Sequence, residues 1–118
     1  MKDERADAII VNEQSENFRN MGLISELSEK SRLPASCAFR EDREGSVLGC
    51  LMSYSVSVVY EVRQAASYID RILKGADPGD LPVQQSAKFE LVMNLKTAKA
   101  LGLTIPQSLL LRADEVIE

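Results

Sequence analysis

The chain predicts an α/β fold, a mostly parallel sheet flanked by helices, and three observations carry that expectation. Ala8-Ile9-Ile10-Val11 is a short unbroken apolar run, the pattern of a strand covered on both faces. Phe18, Met21, Ile24 and Leu27 then recur at three-residue spacing, with polar Arg19, Glu26, Glu29 and Lys30 between them, which makes an amphipathic helix. Pro34 ends the connection, and Ala35-Ser36-Cys37-Ala38-Phe39 reads as a second strand. Strand, helix and strand in succession are the building unit of parallel sheets.

The first helix is entered through the polar loop Asn12 to Ser15, with Ser15 or Asn17 available as N-cap. Arg40-Glu41-Asp42-Arg43-Glu44-Gly45 is a charged link with room for one helical turn, and Val47 to Tyr54 reads as a third strand. The link looks short for a parallel crossover, which usually takes a dozen residues or more. From Val58 the apolar positions Val58, Val59, Val62, Ala65, Ala66, Ile69, Ile72 and Leu73 fall three and four apart, the strongest helical pattern in the chain. Lys74 complements the helix dipole in its last turn, Gly75 suits the left-handed position that closes it, and Pro78, Gly79 and Pro82 forbid continuation. Phe89-Glu90-Leu91-Val92-Met93 reads as a strand. Asn94 caps a short helix over Leu95 to Leu101, Gly102 closes it, and Pro106 lies beyond. The tail from Ser108 to Glu118 has room for a helical turn and a last short strand at Glu115-Val116-Ile117.

Composition narrows the function. With 118 residues there is enough chain for one compact core and too little for two full lobes. A formal charge of −4, with basic residues scattered singly among acids, argues against nucleic acid, whose phosphates need clustered cations. No stretch approaches the roughly 20 apolar residues of a membrane helix. The segment Met1-Lys2-Asp3-Glu4-Arg5-Ala6-Asp7 is charged and lacks the apolar centre of a signal peptide, so the polypeptide as written is expected in the cytoplasm. Cys37 and Cys50, with no histidine anywhere, offer too few soft ligands for zinc, and their apolar surroundings suggest buried free thiols in preference to a bridge. The lack of histidine also removes the usual Ser-His and Cys-His nucleophile pairs, and the six glycines form no phosphate-loop spacing. The acidic cluster Glu41, Asp42 and Glu44 is interleaved with Arg40 and Arg43 and reads as a solvated loop. No catalysis, cofactor or metal is expected.

Several local patterns, weak singly, occur together in a telling order. They are Asp7-Ala8-Ile9-Ile10-Val11, Arg32-Leu33-Pro34-Ala35, Leu51-Met52-Ser53-Tyr54, Ile72-Leu73-Lys74-Gly75, Leu81-Pro82-Val83, and the long run from Asn94-Leu95-Lys96-Thr97-Ala98-Lys99 to Leu103-Thr104-Ile105-Pro106. In that order the chain resembles the ABC transporter substrate-binding proteins of the type I periplasmic-binding-protein-like class, C-terminal portion only, from Ala8 to Ile117. The resemblance implies a partial fold of that class. Residues 1–54 would supply a strand–helix–strand portion of the second lobe, and 55–118 the C-terminal helix, hinge and strand–helix segments, as one compact unit with no complete second lobe. A whole receptor of this kind is well over twice this length, closes two lobes over a small organic solute such as an amino acid, and delivers it to an ABC permease outside the cytoplasm. Two departures stand out. Where the family carries paired glycines before Leu-Met-Ser-Tyr and one after, this chain has Gly49-Cys50 and Ser55.

In an open parallel sheet, ligands lie beyond the carboxyl ends of the strands. That rule selects Asn12 and Glu13 after the first strand, Phe39 and Arg40 after the second, and Ser53 and Tyr54 after the third. Tyr54 offers a ring face and a hydroxyl, and Arg40 suits a carboxylate in bidentate fashion. The plainer readings are that Tyr54 is a core or hinge residue and that Arg40 is solvated beside Glu41. The wide apolar stripe of the helix from Val58 to Lys74 ordinarily packs on its own sheet. Left uncovered, it is a surface on which two copies could pair, so the alternative function is a truncated, self-associating α/β module without transport.

Overall fold

The computed structural model describes residues 6–39 and 49–118. Arg40, the charged link after it and Val47 at the start of the expected third strand lie outside the described residues. The described residues fall into two compact units: one built from the chain up to Ser55 and from Glu90 onward, the other running from Val56 to Phe89.

Among the described residues the sheet has five strands, in the order β1-β2-β3-β4-β5. These are β1 (Ile9–Val11), β2 (Ala35–Cys37), β3 (Met52–Val56), β4 (Phe89–Asn94) and β5 (Glu115–Ile117). β1 pairs parallel with β2, with Ile9 opposite Ala35 and Val11 opposite Cys37, and β2 pairs parallel with β3 through Ser36–Met52 and Cys37–Ser53. β4 and β5 are also parallel, with Val92 opposite Glu115 and Asn94 opposite Ile117. Between β3 and β4, the Asn94 N–H donates to the Leu51 carbonyl and the Ser57 N–H to the Lys88 carbonyl, both at 2.9 Å. Partners fall in number on one strand as they rise on the other, so among the described strands this pair alone is antiparallel. The sheet is thus mostly parallel and flanked by helices, as the pattern of elements predicts. The segment from Ala38 to Leu51 is long enough for the parallel crossover between β2 and β3.

The helical stretch behind β1 is two helices, α1 (Ser15–Arg19) and α2 (Met21–Lys30), meeting at Asn20. α2 buries Met21, Ser25 and Ser28, whereas Leu27 from the expected apolar stripe is half exposed and Phe18 about a third exposed. The inward serines have partners: Ser28 Oγ donates to the Ser25 carbonyl at 2.8 Å, and Ser25 Oγ accepts from the Gly49 N–H at 2.7 Å. Small hydroxyl residues let the helix lie close to the chain entering β3. Around this helix the core gathers Val11, Met21, Ala35, Cys37 and Cys50, with Ile9, Ile24 and Phe39 packed against it. Ile10, expected inside, is 85% exposed, because side chains alternate along β1 and the face opposite Val11 is uncovered there.

Cys37 and Cys50 form a disulfide with Cα atoms 6.1 Å apart, and the expectation of free thiols is corrected. That separation lies inside the range a disulfide spans. Local surroundings could not reveal it, since the two residues meet only because β3 returns beside β2.

The helices α4 (Leu95–Leu101) and α5 (Gln107–Leu110) complete the first unit. Asn94 caps α4 as expected, its Oδ1 accepting from the Thr97 N–H at 3.1 Å, and Gly102 closes the helix with φ 71°. Asp114 clips the tail to β4, its N–H donating to the Leu91 carbonyl and its carboxylate accepting from the Leu91 N–H, each at 2.8 Å.

The second unit is dominated by α3 (Val58–Leu73), which ends with Gly75 at φ 98° and the Ala76 N–H bonded to the Arg71 carbonyl at 3.0 Å. A 3-10 turn (Pro78–Asp80) follows, with Asp77 Oδ1 accepting from the Gly79 N–H at 2.7 Å, and the Tyr68 hydroxyl donates to the Pro82 carbonyl. No residue of α3 is buried; Val58, Val59, Val62, Ile69 and Leu73 are all more than half exposed. None of the helices in the described residues is long and apolar enough to cross a membrane.

Two stability changes follow from this packing. Met21→Ala, at a side chain with no exposed surface, lowers unfolding free energy by about 2–5 kcal/mol in urea denaturation. Asn94→Ala removes the α4 cap and costs about 1 kcal/mol in the same measurement, with Asn94→Asp retaining most of it.

Candidate functional site

The carboxyl ends of β1 and β2 open onto a groove of about 330 Å³ lined by Glu13, Ser15, Phe18, Arg19 and Phe39. It exists because β1 stops at Val11 and the chain turns at once into α1. Asn12 holds that turn: its Oδ1 accepts from Asn17 Nδ2 at 2.6 Å, and its carbonyl accepts from the same nitrogen at 3.3 Å. Asn12 therefore braces the entry to α1 and is not among the lining residues.

Phe39, two residues beyond β2, meets Phe18 edge to face, with ring centroids 4.8 Å apart and planes at 61°. Such a pair is a preferred aromatic arrangement and gives the groove a firm apolar wall. Glu13 and Arg19 add one charge of each sign, and Ser15 adds a hydroxyl. A wall of this composition suits a small molecule with an apolar body and a head carrying both charges.

Ser53 lies deeper. It is buried and, with Phe39, Cys50, Met52, Val92, Asn94 and Ile117, surrounds a cavity of about 10 Å³, room for one water at most. Tyr54, next along β3, is 57% exposed and lines neither space. Arg40 lies outside the described residues. The structure thus brings Phe39 and Glu13 to the groove, keeps Asn12 at its edge as a brace, and puts Ser53 beneath Phe39.

Ser15, Phe18 and Arg19 were not anticipated as lining residues. Phe18 reads as a core position when one continuous helix is assumed, whereas it lies on α1, which ends at Arg19, and lines the groove. The signal available was Asn20 itself, a poor helix-interior residue whose side chain bonds backward to the Glu16 carbonyl at 2.9 Å. Electrostatic perturbation lies elsewhere. The Glu26 carboxyl is held below its usual range by the hydrogen bond from Lys30 and then by its charge, and the Lys30 ammonium is correspondingly raised. Both sit on the solvated face of α2, where an i,i+4 pair contributes little. Among the described residues, no cluster of histidine, cysteine, aspartate and glutamate could hold a metal.

No curated protein matches the chain. A conserved domain protein from Vibrio cholerae O1 biovar El Tor is similar in structure with TM-score 0.81 and 27% identity, over 94% of this chain and 36% of that one. An ABC domain from Streptococcus pneumoniae, solved in complex with L-Trp, is similar with TM-score 0.81 and 28% identity, over 96% of this chain and 37% of that one. A ligand-free, open substrate binding protein with adhesive properties from Clostridium difficile shares the fold at 18% identity, TM-score 0.58, over 92% and 36%. The chain therefore spans little more than a third of the length of these structures. The family model described as ABC transporter substrate binding protein matches residues 1–117, and the chain belongs to that family.

Proposed function

We propose that the first unit supplies one wall of a solute site in an ABC-type uptake receptor, and that the groove at Phe18, Arg19 and Phe39 takes a small organic solute of the amino-acid class. The observation that carries this reading is the pairing of an aromatic wall with Glu13 and Arg19 at the strand ends. An α-amino acid offers a carboxylate for Arg19, an ammonium for Glu13 and a side chain for the rings. The L-Trp complex of the Streptococcus pneumoniae relative supports the same class. In an intact receptor, closure would follow from the tighter fit of the closed state to its solute, and an ABC permease would receive the solute. A disulfide persists in oxidising compartments, which supports work outside the cytoplasmic membrane over the cytoplasmic expectation.

The chain contains no tryptophan, so the fluorescence anisotropy of added tryptophan reports binding without protein background. One wall binds weakly; phenylalanine and tyrosine compete, and aliphatic amino acids compete less well. Arg19→Ala and Phe39→Ala each weaken the interaction about tenfold. Tight binding by the monomer, or binding indifferent to both changes, refutes the placement.

A second reading, a self-associating module without transport, rests on the uncovered stripe of α3. Light scattering behind size exclusion separates the two: this reading expects dimers or larger species that Val62→Glu disperses, and a monomer at all concentrations rejects it.

A further inference from the structure

The Cys37–Cys50 disulfide belongs to the core against which Phe39, one wall of the groove, is packed. Cys50 and Phe39 line the same small cavity, and Phe39 is the ring that meets Phe18. Both cysteines are almost wholly buried, at 1% and 5% exposure, and the backbone around each is hydrogen-bonded. Cys37 sits within β2, paired to Val11 on one side and Ser53 on the other. Cys50 lies between two anchored neighbours. Gly49 donates to Ser25 Oγ and accepts from Thr97 Oγ1 at 3.0 Å, and Leu51 donates to the Ala35 carbonyl at 2.9 Å.

Bonded sulfurs stand about 2 Å apart, whereas unbonded heavy atoms need about 3.5–4 Å. Two thiols in this space must therefore separate by more than an ångström, although the sheet holds their backbones. In a close-packed interior that displacement passes to whatever neighbour can yield. The cavity beside Cys50 is the available space, and Phe39 is the side chain between that cavity and the groove.

We propose that this disulfide is a redox-sensitive positioning element for the groove: oxidised, it seats Phe39 against Phe18; reduced, the two thiols displace Phe39 and weaken solute binding. The assignment of solute to the groove is the reading given above; the movement of Phe39 does not depend on it. Chemically, a dithiol reductant attacks the disulfide through its thiolate and forms a mixed disulfide. Its second thiolate then closes the reductant's own ring, leaving Cys37 and Cys50 as thiols; a disulfide oxidant reverses the exchange, taking up the two protons and two electrons.

The test uses the full chain, whose only phenylalanines are Phe18, Phe39 and Phe89, so the aromatic resonances are readily assigned. Air-oxidised protein should carry no titratable thiol and show a nuclear Overhauser effect between the rings of Phe18 and Phe39. Dithiol treatment should remove that contact while amide dispersion persists, and should weaken tryptophan binding about fivefold. The double variant Cys37→Ala, Cys50→Ala removes the crowding sulfurs, so it should keep the ring contact and ignore the reductant. Two free thiols in the oxidised protein, or a ring contact unchanged by reduction, overturns the proposal. So does loss of the folded spectrum in both the reduced protein and the alanine pair, which would make the bridge a stability staple. If no solute binds in either state while the ring contact still follows the redox state, the assignment of solute fails and the positioning role stands.

Discussion

The backbone of Gly49 to Leu51 is the junction on which the first unit depends. Within three residues the chain bonds to α2 through Ser25, to α4 through Thr97, to β2 through the Ala35 carbonyl and to β4 through the Asn94 N–H. Each of those elements contributes a buried or partly buried polar group, and leaving such a group without a partner is costly. Gly49 suits the position because a Cβ there would stand 3.1 Å from Ser25 Oγ. The buried serines of α2, odd residues for a core, make sense only in relation to this strand entry.

Much of the scaffold was legible in the residues. Asn94 before Leu95, Gly102 after Leu101 and Gly75 after Lys74 carry their own reasons, because caps and left-handed turns are local chemistry. So is the apolar run of β1, although the face carrying Ile10 proved uncovered: what packs over a strand's face is set by tertiary structure, which no local window contains. The break at Asn20 was hidden by the regular spacing of Phe18, Met21, Ile24 and Leu27. That spacing describes one helix equally well, and the error moved Phe18 from the groove into the core. The disulfide was invisible for a related reason, since two cysteines in apolar surroundings look alike whether or not a parallel strand pair brings them together. The strand-end rule named Phe39 and Glu13, which do line the groove, because it depends on topology and not on side-chain detail.

The two units differ in what holds them. The first has a core, a disulfide and a tail clipped by Asp114. The second relies on capping and turn chemistry: the Gly75 closure, the Asp77 turn and the Tyr68–Pro82 bond, with Arg71 5.8 Å over the Tyr68 ring and Lys74 2.8 Å from Asp70. Exposed pairs of that kind are individually small. With no buried residue, α3 has fewer apolar contacts holding its backbone than β2 has.

The two rims of the sheet, β1 and β5, are three residues each. An unpaired strand edge is a template for further strands, and its hazard grows with length and flatness. Three residues offer a passing chain too few backbone groups to hold, even with Ile10 turned to solvent beside them. The brevity of its outer strands therefore guards this sheet against runaway stacking into fibrils, a safeguard independent of whatever the groove binds.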